Sequence, residues 1–126
     1  MMRIAIIGAP RAGKTTLAHE LARTTGWPIL HADQMIPLGW SQASDLLADV
    51  LGANDDLIVE GVAVVRALRK ALVARTRAPV ERCIVLERAR VPLTHGQRAM
   101  ARGCASILAK IEPELVRRGV CLERPA

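Results

Sequence analysis

Residues 8–15 read Gly-Ala-Pro-Arg-Ala-Gly-Lys-Thr. This fits the spacing G-x-x-x-x-G-K-[ST], and it lies between an apolar run and a helical pattern, the context the motif requires. Gly8 and Gly13 let the backbone take conformations that bulkier residues resist and let it approach a ligand closely. The loop N–H groups then form an anion nest at a helix N-terminus. Lys14 supplies a compact positive charge for the β- and γ-phosphates, and the Thr15 hydroxyl is placed to ligate Mg²⁺. The segment Gly8, Ala9, Pro10, Arg11, Ala12, Gly13, Lys14, Thr15 and Thr16 is therefore expected to bind a nucleoside triphosphate. Arg11 is not a prescribed position, and its side chain is expected to face solvent or a bound phosphate.

The elements around the loop follow from hydrophobic periodicity. Arg3–Ile7 is a short apolar run ending at Gly8 and reads as a buried strand. Lys14–Thr25 carries Leu17, Ala18, Leu21 and Ala22 at helical spacing, and Gly26 ends it. Trp27–His31 reads as a second strand with Pro28 at its start. Ser41 is a plausible N-cap for a helix through Leu51, closed by Gly52. Leu57–Val59 is a third strand, and Val65–Thr76 a third helix. Cys83–Leu86 is a fourth strand. Gly96–Glu112 is helical, Pro113 should bend or restart it, and Gly119 stops it. Val120–Leu122 is a fifth strand. Apolar strands alternating with helices mean a parallel sheet covered on both faces.

Composition narrows the partners. The chain has 126 residues, 51% hydrophobic and 24% charged, the size and make-up of one globular domain. No apolar run approaches a bilayer span, and no secretory signal is visible, so a cytoplasmic protein is expected. The three cysteines, Cys83, Cys104 and Cys121, lack ligand spacing and read as small buried hydrophobes. Residues 1–63 carry four Lys+Arg and seven Asp+Glu, net −3, whereas residues 64–126 carry fourteen and five, net +9. There is no Tyr or Phe and there are two Trp, so the stacking platforms used by single-stranded nucleic acid are missing. Small phosphorylated ligands are the better match for the basic half.

The loop Gly-Ala-Pro-Arg-Ala-Gly-Lys-Thr closely resembles the phosphate loop of adenylate kinase and its relatives among the P-loop kinases, including the shikimate, gluconate and nucleoside kinases. The resemblance is specific over residues 1–25 and extends weakly beyond them through element order. It implies an α/β fold, a three-layer α/β/α P-loop NTPase with a five-stranded parallel sheet in the order 2-3-1-4-5. It also implies an acidic residue after the second strand, near the acceptor hydroxyl, and lid arginines on the transferring phosphate.

Asp33, in His31-Ala32-Asp33, matches that acidic position. A carboxylate there orients the nucleophile, accepts its proton or holds a Mg²⁺-bound water; the alternative is that it only turns the chain before Pro37. Several relatives similarly carry Val-Glu-Gly at the end of the third strand, as Val59-Glu60-Gly61 does here. Glu60 would hold Mg²⁺ through water, or would pair with an arginine and close the strand. His31 reads as structural, and Trp40 as packing against the second helix. Arg98 and Arg102, at i and i+4, best match the lid arginines, with Arg88 and Arg90 behind them; the alternative is a solvated basic face.

Two departures stand out. About ten residues separate Leu86 from Gln97, too few for a separate lid domain, and the insertion from Pro37 to Leu51 is minimal. The expectation is a single domain over residues 1–126 with a reduced lid. It would be a kinase using ATP and Mg²⁺ on a small-molecule hydroxyl or phosphate. The alternative is a nucleotide-binding regulatory module, or one completed by a partner, without kinase activity. A membrane partner is not expected, and a nucleic-acid partner is disfavoured.

Overall fold

The computed structural model describes residues 2–53 and 55–125. Strand β1 is Arg3–Gly8, β2 Ile29–His31, β3 Leu57–Glu60, β4 Arg82–Leu86 and β5 Cys121–Glu123. Helix α1 is Lys14–Thr25, α2 Trp40–Leu51, α3 Val64–Ala74 and α4 His95–Arg117. The strands form one parallel sheet in the order β2-β3-β1-β4-β5. The parallel sheet is the one the alternating pattern predicts, and its order is the one the resemblance implied.

Strand β1 shows why the sheet needs an unbroken apolar run. Ile4 and Ile6 pack with Ala18 of α1 on one face, while Ala5 and Ile7 pack with α2, α3 and α4 on the other. A strand buried on both faces has no side for polar residues. Register then sets which residues meet at the carboxyl edge: His31 lies beside Glu60, Ile6 beside Glu60, and Gly8 beside Leu86.

Four local readings are corrected. Strand β2 begins at Ile29, not Trp27, and the Pro28 carbonyl accepts the Ile58 N–H. Helix α2 begins one residue before Ser41, after Gly39. Helix α4 does not restart at Pro113 but continues through it, because Pro113 and Ala109 both lie on the exposed face, where the Ala109 carbonyl that loses its donor can turn to water. Cys83 is buried, its thiol pushed up to about 12, and Cys104 is half-buried, but Cys121 lies exposed on the edge strand. The seven-residue 3₁₀ segment Ala32–Leu38, which carries Asp33, has no periodicity that announces it.

At the amino edge of the sheet the first basic residue is internal. Arg3 is 3% exposed. Its guanidinium pairs with Glu81 at 2.9 Å and donates to the Leu51 and Ala78 carbonyls. It joins the start of β1 to the end of α2 and to the approach to β4. The partner holds the Glu81 carboxyl below the ordinary carboxylate range. Among the described residues, no helix is long and apolar enough to cross a membrane.

Replacing Arg3 with Met should lower stability by about 2–4 kcal/mol, because Glu81 and the Leu51 carbonyl lose their partner together. The contribution is full above the ordinary Glu value of 4.5 and is lost as pH falls through the lower folded value. Urea unfolding at pH 7 and at stepwise lower pH tests both statements; equal midpoints for Arg3→Met and the unaltered chain at pH 7 would contradict the first.

Candidate active site

The phosphate loop hangs from the end of β1 and is tied to β4. The Ala9 N–H donates to the Leu86 carbonyl at 3.1 Å. Gly8 has φ +141, and a Cβ there would stand 1.9 Å from the Leu86 oxygen, so no side chain fits at this crossing. The loop turns through Pro10, Arg11 and Ala12 into α1. No side chain caps α1, and no acidic residue stands in its first turn. Nothing from its first turn competes for the positive end of the helix, and an anion is free to take it.

Lys14 is 6% exposed, and its ammonium donates to the Ala9 carbonyl at 2.5 Å. Burial lowers its pKa from the ordinary lysine value, opposed by the negative charges of Asp33 and Glu60. Thr15 Oγ1 donates to Glu60 Oε2 at 3.3 Å. Glu60 is 3% exposed, and its second oxygen meets His31 Nδ1 at 2.8 Å. The acid at the end of β3 is thus satisfied by a histidine and a threonine, not by an arginine. His31 faces it because β2 and β3 run in parallel register.

Asp33 is placed by the 3₁₀ segment and pinned by β3's exit. Its Oδ1 accepts the Val62 N–H at 2.9 Å. Partial burial raises its pKa above the ordinary carboxylate value, a shift that Glu60 adds to while the Val62 N–H and Lys14 oppose it. These groups open on one cleft of about 580 Å³, whose walls include Arg11, Lys14, Thr15, Asp33, Glu60 and Arg90. Pro10, Ala12, Gly13 and Thr16 also border it. Gly8 and Ala9 lie behind the loop instead, along a neighbouring cavity under α4.

The arginines fall differently from their sequence ranking. The inward stripe of α4 runs through Gln97, Met100, Cys104 and Leu108, and the first two face the cleft. Arg98 and Arg102 stand one step round the helix and do not border it. Arg98 donates to the Leu93 carbonyl at 2.8 Å. Arg90 borders the cleft, its guanidinium lying against Gly13 and its N–H donating to the Arg11 carbonyl at 2.9 Å. The signal for Arg90 was the brevity of the connection before the capping box formed by Thr94 and Gln97. With α4 starting so soon, the chain between must lie across the loop. Trp40 is half-buried, with Arg66 over its ring at 5.1 Å, and packs between helices.

Thr15 and Glu60 offer hard oxygen donors, which suit Mg²⁺. Among the described residues, no group of three or more His, Cys, Asp or Glu gathers to hold a metal ion unaided.

Comparison with solved structures agrees with the topology. Shikimate kinase from Aquifex aeolicus vf5 superposes with a TM-score of 0.58 at 19% identity, covering 86% of this chain and 82% of that one. Shikimate kinase from Acinetobacter baumannii, solved in complex with shikimate, gives 0.57 at 15% identity, covering 100% and 84%. The chain has the fold of a shikimate kinase. No family model and no curated protein matches the sequence.

Gly61 locks this arrangement. It has φ +134, and a Cβ there would stand 2.6 Å from Asp33 Oδ1. Gly61→Ala should cost about 1–3 kcal/mol and push the Asp33 carboxylate from its place. Thermal unfolding checks the first part, and the NMR titration of the Asp33 carboxyl the second; an unchanged midpoint with an unchanged titration would refute it.

Proposed function

We propose that the chain is a P-loop kinase of the adenylate and shikimate kinase type, a single domain with a reduced lid. In this reading it transfers the γ-phosphoryl group of ATP to the hydroxyl or phosphate of a small molecule. The observation that carries the reading is the meeting of Lys14 and Thr15, from the first turn of α1, with Asp33, from the 3₁₀ segment after β2, and Glu60, from the end of β3, in one cleft at the carboxyl edge of the sheet. Crevices at that edge are where open parallel sheets bind ligands.

Phosphoryl transfer asks a protein for positioning and for compensation of negative charge more than for covalent chemistry. Lys14 serves the phosphates as a cation kept from bulk water. Thr15, backed by Glu60, would hold Mg²⁺, which when bound draws charge from the phosphate oxygens. Asp33 orients the acceptor hydroxyl and takes its proton as the new O–P bond forms. Its raised pKa makes it a better base than an ordinary carboxylate. The nucleoside would occupy the adjoining groove of about 410 Å³, beside Ala12, Arg88, Arg124 and Pro125. A small hydroxy acid is the first acceptor to try, since one of the structural neighbours was solved with shikimate.

ADP release from Mg-ATP, measured against pooled hydroxy acids, sugars, nucleosides and nucleoside monophosphates, tests the reading. Acceptor-dependent release supports it. ATP binding that Lys14→Ala abolishes, with no release for any acceptor, favours a nucleotide-binding module instead.

Asp33→Asn should reduce turnover about 10²–10⁴-fold while leaving ATP affinity within about twofold. The unaltered enzyme should lose activity as pH falls through a value above the ordinary 3.8, because Asp33 must be ionised to act. The same shift costs stability: nothing below the unfolded value, growing as pH rises to the raised folded value, and full above it.

A further inference from the structure

We propose that Arg11 is the γ-phosphate sensor of this site, the residue by which the loop distinguishes a nucleoside triphosphate from a diphosphate. The inference rests on reading the cleft as a nucleotide site. Three observations carry it.

The first is conformational. Arg11 has φ +59, and it is the sole non-glycine residue at positive φ among the described residues. Glycine would adopt that conformation without strain, whereas an arginine there costs stability. An arginine held in that conformation needs a use that glycine cannot supply.

The second is placement. Arg11 borders the cleft that also holds Lys14, Asp33 and Glu60, facing the 3₁₀ segment that carries Asp33. It does not border the groove beside Ala12, Arg124 and Pro125 assigned above to the nucleoside. Arg11 therefore belongs to the acceptor side of the loop, where the terminal phosphate of a triphosphate would arrive. No carboxylate among the described residues pairs with it, so its five donors are open to an anion.

The third is what replaces a lid. Arg98 and Arg102 do not border the cleft, and the connection from Leu86 to Thr94 is too short for a separate lid domain. The Arg90 N–H is bonded to the Arg11 carbonyl, and the Arg90 guanidinium rests on Gly13. The main chain of one arginine is tied to that of the other, so both cations are carried on the phosphate loop itself and need no closing segment to bring them there.

The test is isothermal titration of the full chain, with Mg²⁺, against ADP and against the β,γ-imido analogue of ATP. Arg11→Gly should weaken binding of the analogue about tenfold or more, the loss of a charge-assisted pair of hydrogen bonds, and leave ADP within about twofold. The same variant should raise the Tm by about 2–5 °C, because it relieves the backbone. Arg11→Ala should show the same loss for the analogue without the gain in Tm, which separates the guanidinium from the backbone. Equal losses for both nucleotides, or none, would overturn the proposal. An unaltered chain that binds neither nucleotide would overturn the nucleotide reading itself, and this proposal with it.

Discussion

A buried ammonium is the constraint to which the rest of the site answers. Lys14 is 6% exposed, and burial by itself favours its neutral form. A neutral amine is useless for holding phosphate charge. Asp33 and Glu60 oppose the burial, and each comes from a different part of the chain. The sheet order is what makes that possible. Strand β3 sits beside β1 and delivers Glu60 next to the loop, and β2 sits beside β3 and delivers His31 and then Asp33. The carboxylates in turn would repel one another without the lysine. Asp33 shows the balance: burial and Glu60 raise its pKa while the Val62 N–H and Lys14 hold it down. The group is poised, and it is poised only because the three strands end together.

The charge asymmetry of the chain has a physical explanation that does not invoke a polyanion. Much of the arginine in the second half is spent on the protein itself. Arg118 donates to the Leu72, Arg75 and Arg77 carbonyls around the end of α3. Arg77 donates to the Gly52 carbonyl at the end of α2. Helix ends present carbonyls with no partner within the helix, and a guanidinium answers several of them at once. Arg82 pairs with Glu123 and Arg124 with Glu87 and Glu112. These pairs are at least partly solvated and contribute little each. Taken with the arginines at the helix ends, they account for much of a basic half that looks like a binding surface in the bare sequence.

What was legible in the sequence depends on how local the cause is. The parallel sheet and the loop were legible because apolar runs and the Gly-x-x-x-x-Gly-Lys-Thr spacing are local signals, whereas the strand order came only through the resemblance to the P-loop kinases. Asp33 and Glu60 were singled out through the resemblance, and the structure places both at the cleft. Their partners were not. That Glu60 meets His31 depends on the register of β2 against β3, which no single segment encodes. The ranking of the arginines failed to anticipate the cleft for a related reason. The i, i+4 pair at Arg98 and Arg102 is a real face of α4, but which face turns inward is decided by packing against the sheet. Helix α4 buries Ile107, Leu108, Ile111 and Leu115, and that choice turns Gln97 and Met100 to the cleft. Pro113 misled for the opposite reason, since its local cost is real but falls where water can absorb it.

The short connection between β4 and α4 is the feature that most separates this cleft from one closed by a mobile segment. A lid contributes by excluding water and by bringing charge to the phosphates when substrate arrives. Here the connection is fastened: the Arg90 N–H to the Arg11 carbonyl, the Ala9 N–H to the Leu86 carbonyl, and Thr94 and Gln97 locking the start of α4. The main chain that carries Arg11 and Arg90 is therefore anchored at both ends of the connection. Preorganised groups need no rearrangement at the moment of transfer, which favours rate. An unclosed cleft also admits water as a rival to the acceptor, which works against selectivity. For the proposed transfer these two effects oppose each other, and their balance would rest on how well Asp33 held the acceptor in place of water.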